Sequence, residues 1–159
     1  MHIFFLLFLS SCSLFFGSDQ GPKSAKDAQY YINFSSSDWV VRKDERSDYV
    51  WENKINGRIL LSNSFCDEFQ DQGLDELAKK TVRTMSKFDS HKGGFTTFHN
   101  REAYRLEGNG MVDGVKVALS LLNTRRNNCY FDFVSIAPLN NPESHNQEFD
   151  KFLNAVVFK

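Results

Sequence analysis

The thiols, imidazoles and carboxylates of this 159-residue chain are the groups that could bind a metal, attack an electrophile or move a proton. His91, His99 and His145 are scattered, with no His-x-x-x-His pair and no glutamate between two of them, so a zinc centre is weakly supported. His99 with Glu102 is the best-placed pair, but a turn histidine near a solvated carboxylate is the plainer reading. Asp67, Glu68 and Asp71 form an acidic cluster ahead of a helical segment, where carboxylates favour the positive end of the helix dipole. No Gly-x-Ser-x-Gly elbow occurs, and Gly93-Gly94 lacks the Lys-Ser or Lys-Thr that completes a phosphate loop. With no catalytic set, metal spacing or cofactor motif to name, the expectation is a non-enzymatic protein without a cofactor.

Cys12 stands in a more informative context. Residues 3–9 read Ile-Phe-Phe-Leu-Leu-Phe-Leu. That run is too short to span a bilayer, which needs roughly 18 or more apolar residues, but it suits the apolar region of a secretory signal. Leu9-Ser10-Ser11-Cys12 resembles the lipobox of bacterial lipoproteins: an aliphatic residue, two small residues, then the cysteine whose thiol takes the lipid. The resemblance implies a signal peptide at 1–11, a lipidated N-terminus and tether at 12–28, and one domain at 29–159. Two or more acyl chains, at about 0.8 kcal/mol per buried CH₂, make attachment durable. Ser13 rather than Asp after the cysteine implies the outer membrane, by likeness to sorting in diderm bacteria. An ordinary secretory signal with an incidental cysteine is the competing reading.

Behind Cys12, residues 17–27 are rich in Gly, Ser, Pro and Lys and read as a leash of at most about 35 to 40 Å. Cys66 and Cys129 then remain in a chain that would face an oxidising compartment, so a disulfide is one reading. Two buried free thiols are another, and a redox pair without Cys-x-x-Cys spacing is a third. The balance of 19 basic and 20 acidic side chains leaves no electrostatic footprint for nucleic acid. Arg125 and Arg126, at an expected hairpin tip, are candidates to contact an acidic partner or a lipid head group, or are simply solvated.

The elements that must position these groups read as strands, a helix, more strands and a final helix. Tyr30, Tyr31, Ile32 and Phe34 open the folded part, and Trp39-Val40-Val41 suggests a short strand. Tyr49-Val50-Trp51 and Ile59-Leu60-Leu61 flank Asn56-Gly57, which suits a type I′ hairpin. Leu74, Leu77, Ala78, Val82, Met85 and Phe88 recur at helical spacing, with Asp71 as a candidate N-cap. Strands are expected at 95–98 and 103–106, with turns at Gly108-Asn109-Gly110 and Asp113-Gly114. Residues 115–121 and 130–136 form a further hairpin across the polar 125–128 connection. Asn141 can cap and Pro142 can open a last helix with Phe149, Phe152, Leu153 and Val156 on one stripe.

The class is therefore α+β, a mostly antiparallel sheet with helices packed on it. Arg101-Glu102-Ala103-Tyr104, Asp113-Gly114, Cys129-Tyr130-Phe131 and the stretch from Phe149 through Phe158 together resemble the PsbP-like α/β/α sandwich over about residues 30–159. That resemblance implies an assembly or binding factor rather than an enzyme, though fold alone does not transfer function. The expectation is a membrane-anchored, periplasm-facing module with an envelope protein as partner. The alternative is a carrier or sensor that holds a small apolar or lipidic ligand between sheet and helix.

Overall fold

The computed structural model describes residues 30–67, 69, 71–83, 88–139 and 145–159. In chain order these form β1 (Tyr30–Ile32), β2 (Trp39–Arg42), β3 (Tyr49–Asn53), β4 (Ile59–Cys66), α1 (Leu74–Arg83), β5 (Phe88–Phe98), β6 (Arg101–Val112), β7 (Val115–Arg126), β8 (Cys129–Pro138), α2 (His145–Asn154) and β9 (Val156–Phe158). Seven strands make one antiparallel sheet in the order β2-β3-β4-β8-β7-β6-β5, and β1 pairs with β9 in a separate ribbon. Two meanders explain that order. β2 to β4 is the first, β5 to β8 the second, and α1 carries the chain across so that β8 returns beside β4.

Side chains alternate across a strand, so the central strands of this sheet feed two cores. Cys129, Phe131 and Phe133 of β8 pack with Leu60, Leu122 and the Phe149, Phe152 and Leu153 stripe of α2. Tyr130, Val134 and Ile136 face the other way, against Leu106, Leu119, Leu121 and the Leu74, Leu77, Ala78 and Val82 stripe of α1. Burying each large side chain of this kind contributes about 1.5–3 kcal/mol. β8 lies at the centre with both faces covered, and every residue from Cys129 to Ala137 is buried. The β1–β9 ribbon extends the α2 layer, with Tyr30, Ile32 and Val156 in the same cluster.

His99-Asn100, Asp113-Gly114 and Asn127-Asn128 each have positive φ at both positions. Each also joins directly paired residues: Phe98 with Arg101, Val112 with Val115, and Arg126 with Cys129. These are the two-residue type I′ connections whose twist matches that of the strands.

Several expectations need correction. The β3–β4 hairpin forms, but in its loop only Gly57 has positive φ, so Asn56-Gly57 is not a type I′ turn. A longer loop is organised by Asn53, whose Oδ1 accepts from the backbone N–H of Ile55 (2.9 Å) and of Asn56 (3.2 Å). Gly108-Asn109-Gly110 is not a turn, since those residues lie within β6 and pair with both β5 and β7. Phe88 belongs to β5 rather than to the α1 stripe, and Val156 to β9 rather than to α2. Gly73, not Asp71, occupies the start of α1, its carbonyl accepting from the Leu77 N–H at 3.0 Å. Glu68, Met85, Asn141 and Pro142 lie outside the described residues.

Candidate functional site

Polar groups are buried on both sides of this apolar sheet, and they tie the helices to it. On the α1 side, the Tyr130 hydroxyl donates to Asp132 Oδ1, and the Thr81 hydroxyl lies 3.3 Å from Asp132 Oδ2. Asn123 Nδ2 donates to the Tyr130 hydroxyl at 2.9 Å and to the Leu74 carbonyl at 2.8 Å, linking β7 to the first turn of α1. Burial pushes the Asp132 carboxyl up to about 7, outweighing the hydrogen bonds from Tyr130 and Thr81 that favour its charged form. The Tyr130 phenol is raised as well, by burial and then by the neighbouring Asp132 charge. A carboxyl poised near neutrality can serve acid–base chemistry, yet Asp132 is only 4% exposed beneath α1. Its position suits a strut between helix and sheet.

On the α2 side, Arg58 is buried and forms an ion pair through its Nη1 with Glu148 Oε2 of the helix. Near the β3 end, the Tyr30 hydroxyl donates to Asp48 Oδ2 at 2.9 Å and lies 2.8 Å from Ser62 Oγ. Burial is the main cause that raises the Tyr30 phenol, with the Asp48 charge second. Phe131, Phe133, Phe149 and Phe152 fill the space between α2 and the sheet, each at most 1% exposed.

The residues singled out by sequence fall as follows. Cys66 and Cys129 are joined by a disulfide, with Cα atoms 4.0 Å apart, at directly paired positions of β4 and β8. Arg125 and Arg126 are the last two residues of β7 rather than an exposed tip, which is Asn127-Asn128. Arg125 is half-buried and its Nη2 donates to the Phe69 and Gln72 carbonyls, fastening the loop that enters α1. Arg126 is half-buried too, with its guanidinium 5.2 Å from the Phe158 ring centre and its Nη2 3.3 Å from the Lys159 carbonyl. His99 sits in the β5–β6 turn, edge-on to Phe98 and Phe158, while Glu102 is exposed on β6 opposite Thr97. His91 lies in β5 and His145 opens α2, on different elements from His99. Among the described residues, no three His, Cys, Asp or Glu side chains converge as a metal cage. Sequence reasoning passed over Asp132, although one carboxylate inside the apolar run Tyr130-Phe131-Asp132-Phe133-Val134 was a visible signal.

The architecture is thus a PsbP-like α+β sandwich, and the comparisons with solved structures agree. LpqN of Mycobacterium tuberculosis, a protein involved in cell envelope biogenesis, superposes with a TM-score of 0.66 at 9% identity, over 87% of this chain and 89% of that one. The cyanobacterial PsbP (CyanoP) of Synechocystis sp. PCC 6803 matches at a TM-score of 0.58 and 11% identity, over 86% of this chain and 91% of its own. A putative regulator from Pseudomonas aeruginosa, PA94, matches at 0.52 and 10% identity, over 80% and 87%. No protein-family model and no curated protein sequence matches the chain.

Proposed function

We propose that this chain is an exported lipoprotein, held to the envelope through Cys12, whose α+β domain is a non-enzymatic binding or assembly module. The observation that carries the reading is the Cys66–Cys129 disulfide in a chain that also carries Leu9-Ser10-Ser11-Cys12 behind an apolar run. Disulfides persist in oxidising compartments such as the periplasm, and the lipobox-like segment supplies both export and anchor. The likeness to LpqN, an envelope biogenesis protein, supports the same surroundings. Cys12 itself lies outside the described residues. Ser13 favours the outer membrane as destination. Metabolic labelling with a fatty-acid probe should mark the wild type and leave Cys12→Ala unmarked. A labelled Cys12→Ala protein, or an unlabelled wild type, removes the anchor; recovery solely from inner membranes removes only the destination.

The partner is an envelope protein, met at the end of β7 where Arg125 and Arg126 stand. Arg125 also holds the loop ahead of α1, so reversing its charge would disturb the fold. Arg126 is the residue to change. Arg126→Glu should reduce partner capture from solubilised membranes by more than Arg126→Gln, which gives up the same contacts with Phe158 and the Lys159 carbonyl without reversing the charge. Undiminished capture takes this end out of the interface.

A further inference from the structure

The two edges of the seven-stranded sheet are unlike. β2 is four residues long, its Arg42 is paired with Glu52, and Lys43, Asp44, Glu45 and Arg46 follow it. Such shortness and charge blunt an edge against further pairing. β5 is eleven residues long and, among the described residues, pairs on one side only, with β6. Its register irregularity lies at its start, between Phe88 and Ser90, and Lys92 follows. From Gly93 to Phe98 the edge reads Gly-Gly-Phe-Thr-Thr-Phe, without charge, proline or bulge.

Phe95, in the middle of that span, is 61% exposed and stands edge-on to Tyr104 at 5.1 Å. Gly93 has an internal reason, because a Cβ there would meet the Tyr104 hydroxyl at 2.3 Å. Gly94 has none: a Cβ would meet nothing within 4 Å, and its φ is not in the left-handed region. A strand glycine of this kind leaves the backbone open to close approach by another backbone.

The direction of the free hydrogen-bonding groups follows from the turn. A two-residue type I′ loop closes on a hydrogen-bonded pair, here Phe98 with Arg101, and the pattern then alternates. Thr96, Gly94 and Lys92 therefore direct their backbone groups to β6, while Thr97, Phe95 and Gly93 direct theirs outward.

We propose that β5 is a self-association edge. Two copies of this chain pair antiparallel through it, about a two-fold axis at Phe95, into one continuous sheet. In that register Phe95 faces Phe95 of the second copy, Gly93 faces Thr97, Gly94 faces Thr96 and Lys92 faces Phe98. Aromatic meets aromatic on the axis, glycine meets threonine beside it, and no two like charges oppose. The surface is its own complement, as a two-fold interface requires.

The test is the mass in solution of the full chain carrying Cys12→Ser, so that no acyl group contributes, measured by sedimentation equilibrium. The expected species has twice the 18.4 kDa of one chain. Thr97→Pro removes an outward N–H while leaving the bonds to β6, and Phe95→Lys sets two like charges across the axis at an exposed position. Each should weaken self-association by at least about tenfold, with circular dichroism unchanged. If Thr97→Pro fails to fold, Phe95→Lys decides alone. A monomeric wild type at high micromolar concentration overturns the proposal, including one that takes up a foreign extended peptide at β5. A dimer that survives Phe95→Lys does the same.

Discussion

Asp132→Asn should flatten the pH dependence of this protein's stability between about pH 4 and pH 7, and stabilise it above that window. The folded carboxyl sits at about 7 because burial disfavours its charge, whereas an unfolded aspartate titrates near 4. The folded state therefore holds its proton more tightly. Below pH 4 both states are protonated and the stability linked to this group is fully present. As pH rises, the unfolded chain ionises first and stability falls, until the folded group ionises near 7 and the loss levels off. A difference of about 3 units corresponds to about 4 kcal/mol across the window. Asparagine keeps an acceptor for Tyr130 or Thr81 and carries no charge. Urea unfolding at pH 4 and pH 8 measures the effect, and parallel wild-type and Asp132→Asn profiles would show that Asp132 is not the titrating group.

The second large effect belongs to the disulfide. Cys66 and Cys129 are 63 residues apart in the chain and join β4 to β8, the one seam where the two meanders meet. Without the bond, that pairing must be found across a long open loop. In the loop-entropy model a closure of this length stabilises the fold by about 4 kcal/mol. Replacing both cysteines by alanine should lower the denaturation midpoint accordingly, and reductant should shift the wild type but not the double variant. A wild-type midpoint that is the same with and without reductant would refute this.

Much of the fold was readable where one local signal and its tertiary setting agree. The α1 stripe, the Asp113-Gly114 turn, the 115–136 hairpin and the α2 stripe all have a clear period or a turn residue with one main use. Misreadings came where a residue permits more than one outcome. Glycine allows a turn but does not compel it, and Gly108 and Gly110 are held extended by ladders on both sides. Asn56-Gly57 was overruled by the Asn53 side chain, which captures two backbone N–H groups upstream of the glycine. Phe88 and Val156 continue a helical period by coincidence and belong to strands. Of the candidate site, the cysteine pair was visible as one of three readings. The arginines were misplaced by two residues because the turn at Asn127-Asn128 is tighter than the polar run suggested. The grouping of Asp132, Tyr130, Asn123 and Thr81 depends on register across β7, β8 and α1, which no single segment encodes.

The pairing of β1 with β9 bears on how the molecule carries load. A pull on the chain ahead of Tyr30 arrives first at a three-residue ribbon, whose backbone ladder is short enough to peel one pair at a time. Tyr30 resists that peeling. Its hydroxyl is held by Asp48 and Ser62, and its ring packs edge-on against Tyr49 and Phe131. A pull on the chain ahead of Tyr30 therefore passes through one buried phenol into the central sheet, which makes Tyr30 a mechanical clamp where the described chain enters the domain.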